Sequence, residues 1–320
     1  MRSVPRVALV HGAAPVRLDG VSDYVARLAG ALPGAGVEPA VVPVPGPGRH
    51  GWLSTLDSVA DRVAAVRPDV VHVQFSASGY RFSGVPGLLL PYLLGRRVPA
   101  HLVTTLHEYG DPPADAGRLV PASRDLVVTN EAHARALYRR TGRVAVRVPL
   151  APNVDVVPVA PGARERVRAR LGLGTGTPLL AFFGFVHPVK GVRYLIEALP
   201  ALRVRFPGTH LLVLGGFTSL ALPEPQARAF RAELVEQAGR LGLAGAVTFT
   251  GYRPAAAASE LLSAADLAVL PFTAGVTAKS GALLTLLAHR LPTVVTVPDA
   301  VEPGLVDGDT VLYARGRRDP

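Results

Sequence analysis

Lysine occurs at only two positions, Lys190 and Lys279, among 34 basic residues; all the others are arginine. Lysine carries a compact charge on a flexible stem, where arginine presents a planar fork. Each lysine lies near glycine in a segment that joins an apolar run to a helical pattern. The first segment is Phe183-Gly184-Phe185-Val186-His187-Pro188-Val189-Lys190-Gly191. Glycine permits close backbone approach, a helix N-terminus offers unpaired N–H groups and Lys190 adds positive charge, a combination suited to cradling a diphosphate. A surface turn with a solvated lysine has the same spacing, and the segment is no Walker A loop, because Gly191 stands where Ser or Thr would follow the lysine. The second segment runs from Pro271 to Gly281 and holds Thr277, Lys279, Ser280 and Gly281. Hydroxyls, a lysine and glycine at a helix start suit a second anion site; the same residues also suit a plain helix cap at Thr277 or Ser280.

Two segments in the first half invite the same question. Asp19-Gly20-Val21-Ser22-Asp23-Tyr24 leads from an apolar run into a helical one. There Gly20 either lets the backbone face a phosphate or makes a tight turn. His107-Glu108 closes the run Leu102 to Leu106, where His107 serves a sugar hydroxyl or is simply a strand-end histidine. The nine histidines are dispersed, with no HExxH and no clustered carboxylates suited to holding a nucleotide diphosphate through Mg²⁺, so no metal site is expected. Positive side chains and helix ends would take over that work. A GxSxG elbow is absent, which argues against a common α/β hydrolase.

Elements that place such loops at strand ends follow from periodicity. Arg6 to Val10, Glu38 to Val44, Val70 to Phe75, Leu102 to Leu106, Leu126 to Thr129 and Arg143 to Val148 read as strands. Helices fall at Val21 to Leu32, Leu53 to Val66 and Glu131 to Arg140. The central runs are continuously apolar, as in strands covered on both faces of a parallel sheet. After a stretch bearing Pro149, Pro152, Pro158 and Pro161 the pattern restarts. Strands are expected at Leu179 to Phe183, His210 to Leu214, Ala246 to Phe249, Leu267 to Leu270 and Thr293 to Val297. The helices between them are expected at Val192 to Arg205, Pro225 to Arg240, Ala257 to Ala264 and Gly281 to His289. This alternation predicts an α/β protein with two doubly wound parallel sheets, domains 1–151 and 152–320, and ligands beyond the carboxyl ends of the strands.

With 49% hydrophobic residues and 18% charged, the chain has the composition of a globular protein. No apolar run approaches the roughly 20 residues of a membrane span, so a cytoplasmic chain is expected. The absence of cysteine excludes disulfides and thiolate chemistry. A net charge of +10 draws anions, yet the arginines are scattered and no aromatic residues interleave with them, so no nucleic-acid partner is expected.

Taken together, the segments resemble the retaining glycosyltransferase family 4 over nearly the whole chain. The carriers in the first half are Gly20, Asp69-Val70-Val71-His72-Val73-Gln74, Thr105-Leu106-His107-Glu108 and Ala151-Pro152-Asn153. Those in the second half are Phe183-Gly184 through Lys190-Gly191, Leu214-Gly215-Gly216, Phe249-Thr250-Gly251-Tyr252, Ala265-Asp266-Leu267 to Pro271, and Ala288 through Pro292. The resemblance implies GT-B architecture, two Rossmann-like domains facing across a cleft, with acceptor on the first and nucleotide-sugar donor on the second. It implies sugar transfer with retention of configuration, no metal or other cofactor, Lys190 on the donor diphosphate and His107 on the transferred sugar. Gly20, Gly184, Gly191, Gly216, Tyr252, Thr277, Lys279, Ser280 and Gly281 complete the expected donor site. The expected acceptor is a small molecule or lipid-linked; the latter would bring the enzyme to the inner face of a membrane.

Three departures stand out. The family's paired glutamates fall near Thr277 and Thr285 here, so both are missing, and a branch with a basic residue before Gly-Ser-Leu-Leu is the better match, with Lys279 serving the phosphates. The arginine usual after the first cradle glycine is Phe185. The sequence also stops where relatives carry further helices, one of them crossing back to the first domain. Two rivals follow: a catalytically silent GT-B protein that binds nucleotide sugar or partners an active transferase, and a nucleotide-sugar epimerase of the same architecture, which would need paired carboxylates.

Overall fold

The computed structural model describes residues 4–13, 19–109, 116–158, 160–299 and 302–314. The chain divides into two compact units, Met1–Pro149 and Leu150–Pro320. In the first unit the strands are β1 (Arg6–Gly12), β2 (Glu38–Val44), β3 (Val70–Phe75), β4 (His101–Leu106), β5 (Asp125–Val128) and β6 (Val146–Arg147). They form a parallel sheet in the order β2-β1-β3-β4-β5-β6, the reversal at β1/β3 marking a doubly wound sheet. Helices α1 (Gly20–Ala31), α2 (Gly51–Val66), α3 (Val85–Arg97), the single turn α4 (Leu119–Ala122) and α5 (Glu131–Thr141) fall between the strands. Ala8, Leu9, Val10, Val71, Val73, Phe75, Leu106, Leu126 and Val128 are buried, as their apolar runs require.

The second unit repeats the plan. Strands β7 (Leu179–Phe183), β8 (His210–Leu214), β9 (Val247–Gly251), β10 (Leu267–Leu270), β11 (Thr293–Thr296) and β12 (Leu312–Ala314) form a parallel sheet in the order β12-β11-β10-β7-β8-β9. Helices α6 (Ala163–Arg170), α7 (Val192–Arg205), α8 (Glu224–Arg240), α9 (Ala255–Ser263) and α10 (Gly281–Ala288) surround it.

An aspartate ties the base of each sheet. Asp69, just before β3, accepts the Arg6 backbone N–H at 2.8 Å, while its own N–H donates to the Arg6 carbonyl at 2.9 Å. Asp266, just before β10, does the same for Leu179, accepting at 2.7 Å and donating at 2.9 Å. Each pair joins the first strand of its sheet to a neighbour across the switch point.

The short elements α4, α6 and β12 were not among those expected from the sequence, and two further elements differ from expectation. Helix α3 went unpredicted because Pro86 and Pro91 interrupt its pattern. Pro86 sits in the first turn, where its missing N–H is no loss, and Pro91 leaves the Gly87 carbonyl without its helical donor. The Arg118 N–H takes that carbonyl at 2.9 Å. The strand expected over Arg143 to Val148 pairs only at Val146 and Arg147. It is the outermost strand, and the Arg143 guanidinium is turned away to the carbonyls of Val120, Ser123 and Arg124.

Candidate functional site

In the second unit, the loops beyond β7, β8 and β10 interlock through glycine. Gly184, at φ +128°, donates its N–H to the Leu214 carbonyl at 3.1 Å, and Val186 N–H donates to Gly216 O at 2.9 Å. A Cβ added to Gly215 would run into the Gly184 carbonyl, and one on Gly191, at φ +70°, into the Pro271 carbonyl. A Cβ on Gly216 would find ordinary contact with Tyr252, so the steric requirement beyond β8 belongs to Gly215, which the sequence pattern alone did not separate from its neighbour. Tyr252 itself is half exposed, just beyond β9.

These contacts bring the two lysine loops together. Thr273 donates its backbone N–H and hydroxyl to Val189 O at 3.0 and 3.2 Å, and Lys190 Nζ lies 3.7 Å from the centre of the Phe272 ring. Burial first, then repulsion by Lys279, lowers the Lys190 pKa to about 8. Neither lysine has an ion-pair partner among the described residues, and Lys279 is exposed. Nearby, His187 Nδ1 is buried without a hydrogen-bond partner. Two cations held close with no carboxylate between them repel one another, and a bound anion relieves that repulsion.

Beyond β10, the cap of α10 is Ser280: its hydroxyl accepts the Leu283 N–H at 3.2 Å, while Thr277 O accepts the Ser280 N–H at 3.0 Å. Ala282, in the first turn of α10, lies against Gly184. Thr285 has a structural task. Fully buried, its hydroxyl accepts the N–H groups of Asn153 and Val154 at 2.9 and 3.2 Å and donates to Gly281 O at 2.8 Å. A Cβ at Gly281 would meet the end of the Asn153 side chain, which would have to turn aside. His289 Nδ1–H donates to Thr285 O at 2.7 Å, so Nε2 accepts the Ser259 hydroxyl at 2.8 Å, and Ser259 Oγ in turn accepts Val157 N–H at 3.0 Å. A position where the resemblance led to a glutamate thus anchors residues 153–157 instead.

In the first unit, polar side chains collect where β1, β3 and β4 end. Gln74 is fully buried and His107 is 9% exposed; His107 Nε2 and Gln74 Oε1 are 2.9 Å apart. The Tyr24 ring meets the His107 ring edge-on at 4.8 Å. His72 Nε2 pairs with Thr105 Oγ1 at 2.7 Å, and Glu108 accepts the Ala77 N–H at 2.9 Å. Burial, then repulsion by His72 and His133, brings the His107 pKa to about 3; burial brings that of His72 to about 4. His11, at the register position beside Gln74, is also lowered, chiefly by burial. Gly20 opens α1 with free space around it; Asp19 caps that helix by accepting Ser22 N–H and Oγ–H, each at 2.8 Å. The steric demand near that strand end falls on Gly12, whose Cβ would enter the Gly79 backbone. Among the described residues no group of three or more His, Cys, Asp or Glu is placed to hold a metal, and no helix is long and apolar enough to cross a membrane.

The family model for Glycosyl transferases group 1 matches residues 177–319. The D-inositol 3-phosphate glycosyltransferase of Nocardia farcinica is 32% identical over 218 residues, covering 65% of this chain and 46% of that protein. The protein of the same name from Mycolicibacterium smegmatis is 29% identical over 270 residues, covering 76% and 57%. The chain spans about half the length of the curated relatives it matches. Among solved structures, Anabaena HepE in complex with UDP and glucose superposes with a TM-score of 0.69 at 17% identity, over 92% of this chain and 81% of that one. A glycosyltransferase from Rickettsia africae gives 0.67 at 15% identity, over 93% and 81%. The fold is therefore the two-domain α/β GT-B architecture. Residues 177–319 are similar to the group 1 glycosyl transferases.

Proposed function

We propose that the protein moves a sugar from a nucleotide-diphosphate sugar to a hydroxyl acceptor, with retention of configuration and without a metal. The observation that carries this reading is the pair of lysines without ion-pair partners, Lys190 and Lys279, in interlocked glycine loops at strand carboxyl ends of the second unit. As the bond from the sugar C1 to the diphosphate oxygen breaks, negative charge grows on the departing diphosphate, and fixed positive groups stabilise it more than they stabilise the bound donor. The acceptor oxygen bonds to C1 on the same face and its proton passes to the departing phosphate. That route needs no strong base, in keeping with a site lacking the carboxylate pair of glycosidases. Gly184, Gly191, Gly215 and Gly216 shape the donor pocket, with Tyr252, Thr277, Ser280 and Gly281 along it, and His107 contacts a hydroxyl of the substrate sugar. The acceptor is a small molecule or a lipid-linked one met at the cytoplasmic face of a membrane, which the +10 charge favours.

The buried anchoring role of Thr285 favours a second reading, a silent protein that binds nucleotide sugar without turnover. A thermal-shift screen of nucleotide sugars and nucleoside diphosphates tests both, because a ligand of the folded state raises its apparent stability. Stabilisation by one nucleotide, lost in Lys190→Ala and Lys279→Ala, supports the donor site, and turnover with that donor separates enzyme from silent binder. No shift with any nucleotide rejects both readings.

A further inference from the structure

The first unit holds a buried amide that the donor chemistry leaves unused. Gln74 has no exposed surface, and one end of its side chain meets His107 Nε2 at 2.9 Å. The other end, Nε2, is buried with no hydrogen-bond partner. Beside it, on β1 at the same register, His11 Nδ1 is likewise buried and unpartnered. Buried polar atoms are nearly always satisfied, so two adjacent orphans at strand carboxyl ends point to a group that arrives from outside.

We infer that Gln74 is the positioning residue of His107: its side-chain carbonyl takes the Nε2–H of a neutral ring, leaving Nδ1 to accept a substrate hydroxyl and the Gln74 amide to donate a second hydrogen bond. This rests on the reading of His107 as a sugar contact. The tautomer of a neutral histidine is set by the bond its other nitrogen makes. An amide carbonyl there favours a neutral ring, whereas a carboxylate would hold the imidazolium. Tyr24 covers the ring from α1, and His72 from β3 and His133 from α5 both act against a positive charge on it. His107 Nδ1 has no hydrogen-bond partner among the described residues. The ring therefore faces substrate as an acceptor of hydrogen bonds and as an uncharged group.

The test is a ¹⁵N NMR measurement of His107 in the full chain near pH 7, its signal assigned by loss in His107→Gln. The expected signature is a protonated Nε2 and a bare Nδ1; a protonated Nδ1, which requires the amide turned the other way, overturns the inference. Gln74→Glu, isosteric with the native residue, should raise the His107 titration midpoint by about 2 pH units. An unchanged midpoint in a folded variant also overturns it. In turnover, Gln74→Leu should lower kcat about tenfold, the worth of one misdirected hydrogen bond, with donor KM nearly unchanged; wild-type kcat in that variant denies the positioning role. The NMR outcome does not depend on sugar transfer. A wild-type protein with the expected tautomer but no turnover therefore counts against the enzyme reading and supports the placement of Gln74.

Discussion

The two units build the same sheet and put opposite chemistry at its carboxyl end. In the first, His11, Gln74 and His107 form a buried, uncharged hydrogen-bonding surface. In the second, glycine turns clear the space and two lysines fill it with positive charge. At the other end the units agree: Asp69 and Asp266 each clamp the first strand of their sheet through the same pair of backbone bonds. The base of a doubly wound sheet does one job, holding strands in register, while the loops at the opposite end are free to specialise. A neutral surface suits hydroxyls; a cationic one suits a departing diphosphate.

Acid should separate the units most strongly. His107 and His72 stay neutral in the folded state down to about 3 and 4, whereas the unfolded chain takes up protons near 6.5. The unfolded state thus binds more protons between those values, so stability is complete above pH 6.5 and falls as pH drops, by about 1.4 kcal/mol per pH unit for each histidine. Denaturant titrations across this window should show a slope of that order, with the share of one histidine gone in His107→Gln. Equal slopes in the two proteins would break the contrast on the first unit's side.

The shared clamp should prove unequal in cost. Asp266 also pairs with Arg168, whose side chain is 4% exposed, and with Arg164, while Asp69 supports only backbone. Asp266→Ala should therefore cost about 3 kcal/mol, leaving the buried Arg168 guanidinium with carbonyl acceptors but no counter-charge, against about 1 kcal/mol for Asp69→Ala. Matching losses in urea denaturation would show that the arginines add nothing.

Base reads the second unit. Because Lys190 carries a pKa of about 8 when free of ligand, affinity for a nucleoside diphosphate should weaken as pH rises past that value, by up to about tenfold per pH unit. Calorimetry on wild type and Lys190→Arg tests this: the arginine variant should lose the dependence, and a dependence retained there assigns it to another group. The smallest effect sharpens the glycine assignment. Gly215→Ala should cost about 2 kcal/mol through its clash with Gly184, whereas Gly216→Ala should stay within about 0.5 kcal/mol.

Much of this architecture was legible in the order of residues. Apolar runs such as Val70–Phe75 and His210–Leu214 are short, continuous and separated by helical periods, a pattern with few solutions other than a parallel sheet. The rarity of lysine singles out Lys190 and Lys279 from residue type alone. Helix α3 was hidden because proline is a local penalty, and its remedy, the N–H of Arg118, lies 31 positions from the carbonyl of Gly87 that it satisfies.

What the sequence by itself determined was the set of strands apart from β12, the restart after residue 150 and the loops that carry charge, since those depend on periodicity and residue type. What only the tertiary structure decided was which neighbours those residues meet. Thr285 is an anchor because Asn153 and Val154 reach it from 132 and 131 positions away. Gly215 is obligatory because the Gly184 carbonyl occupies the space a Cβ would need. Gln74 matters because it ends on the nitrogen of His107, 33 positions distant. Hydrogen bonds and steric contact act over a few ångströms of space, and no local pattern in the chain encodes which distant residues fall within that reach.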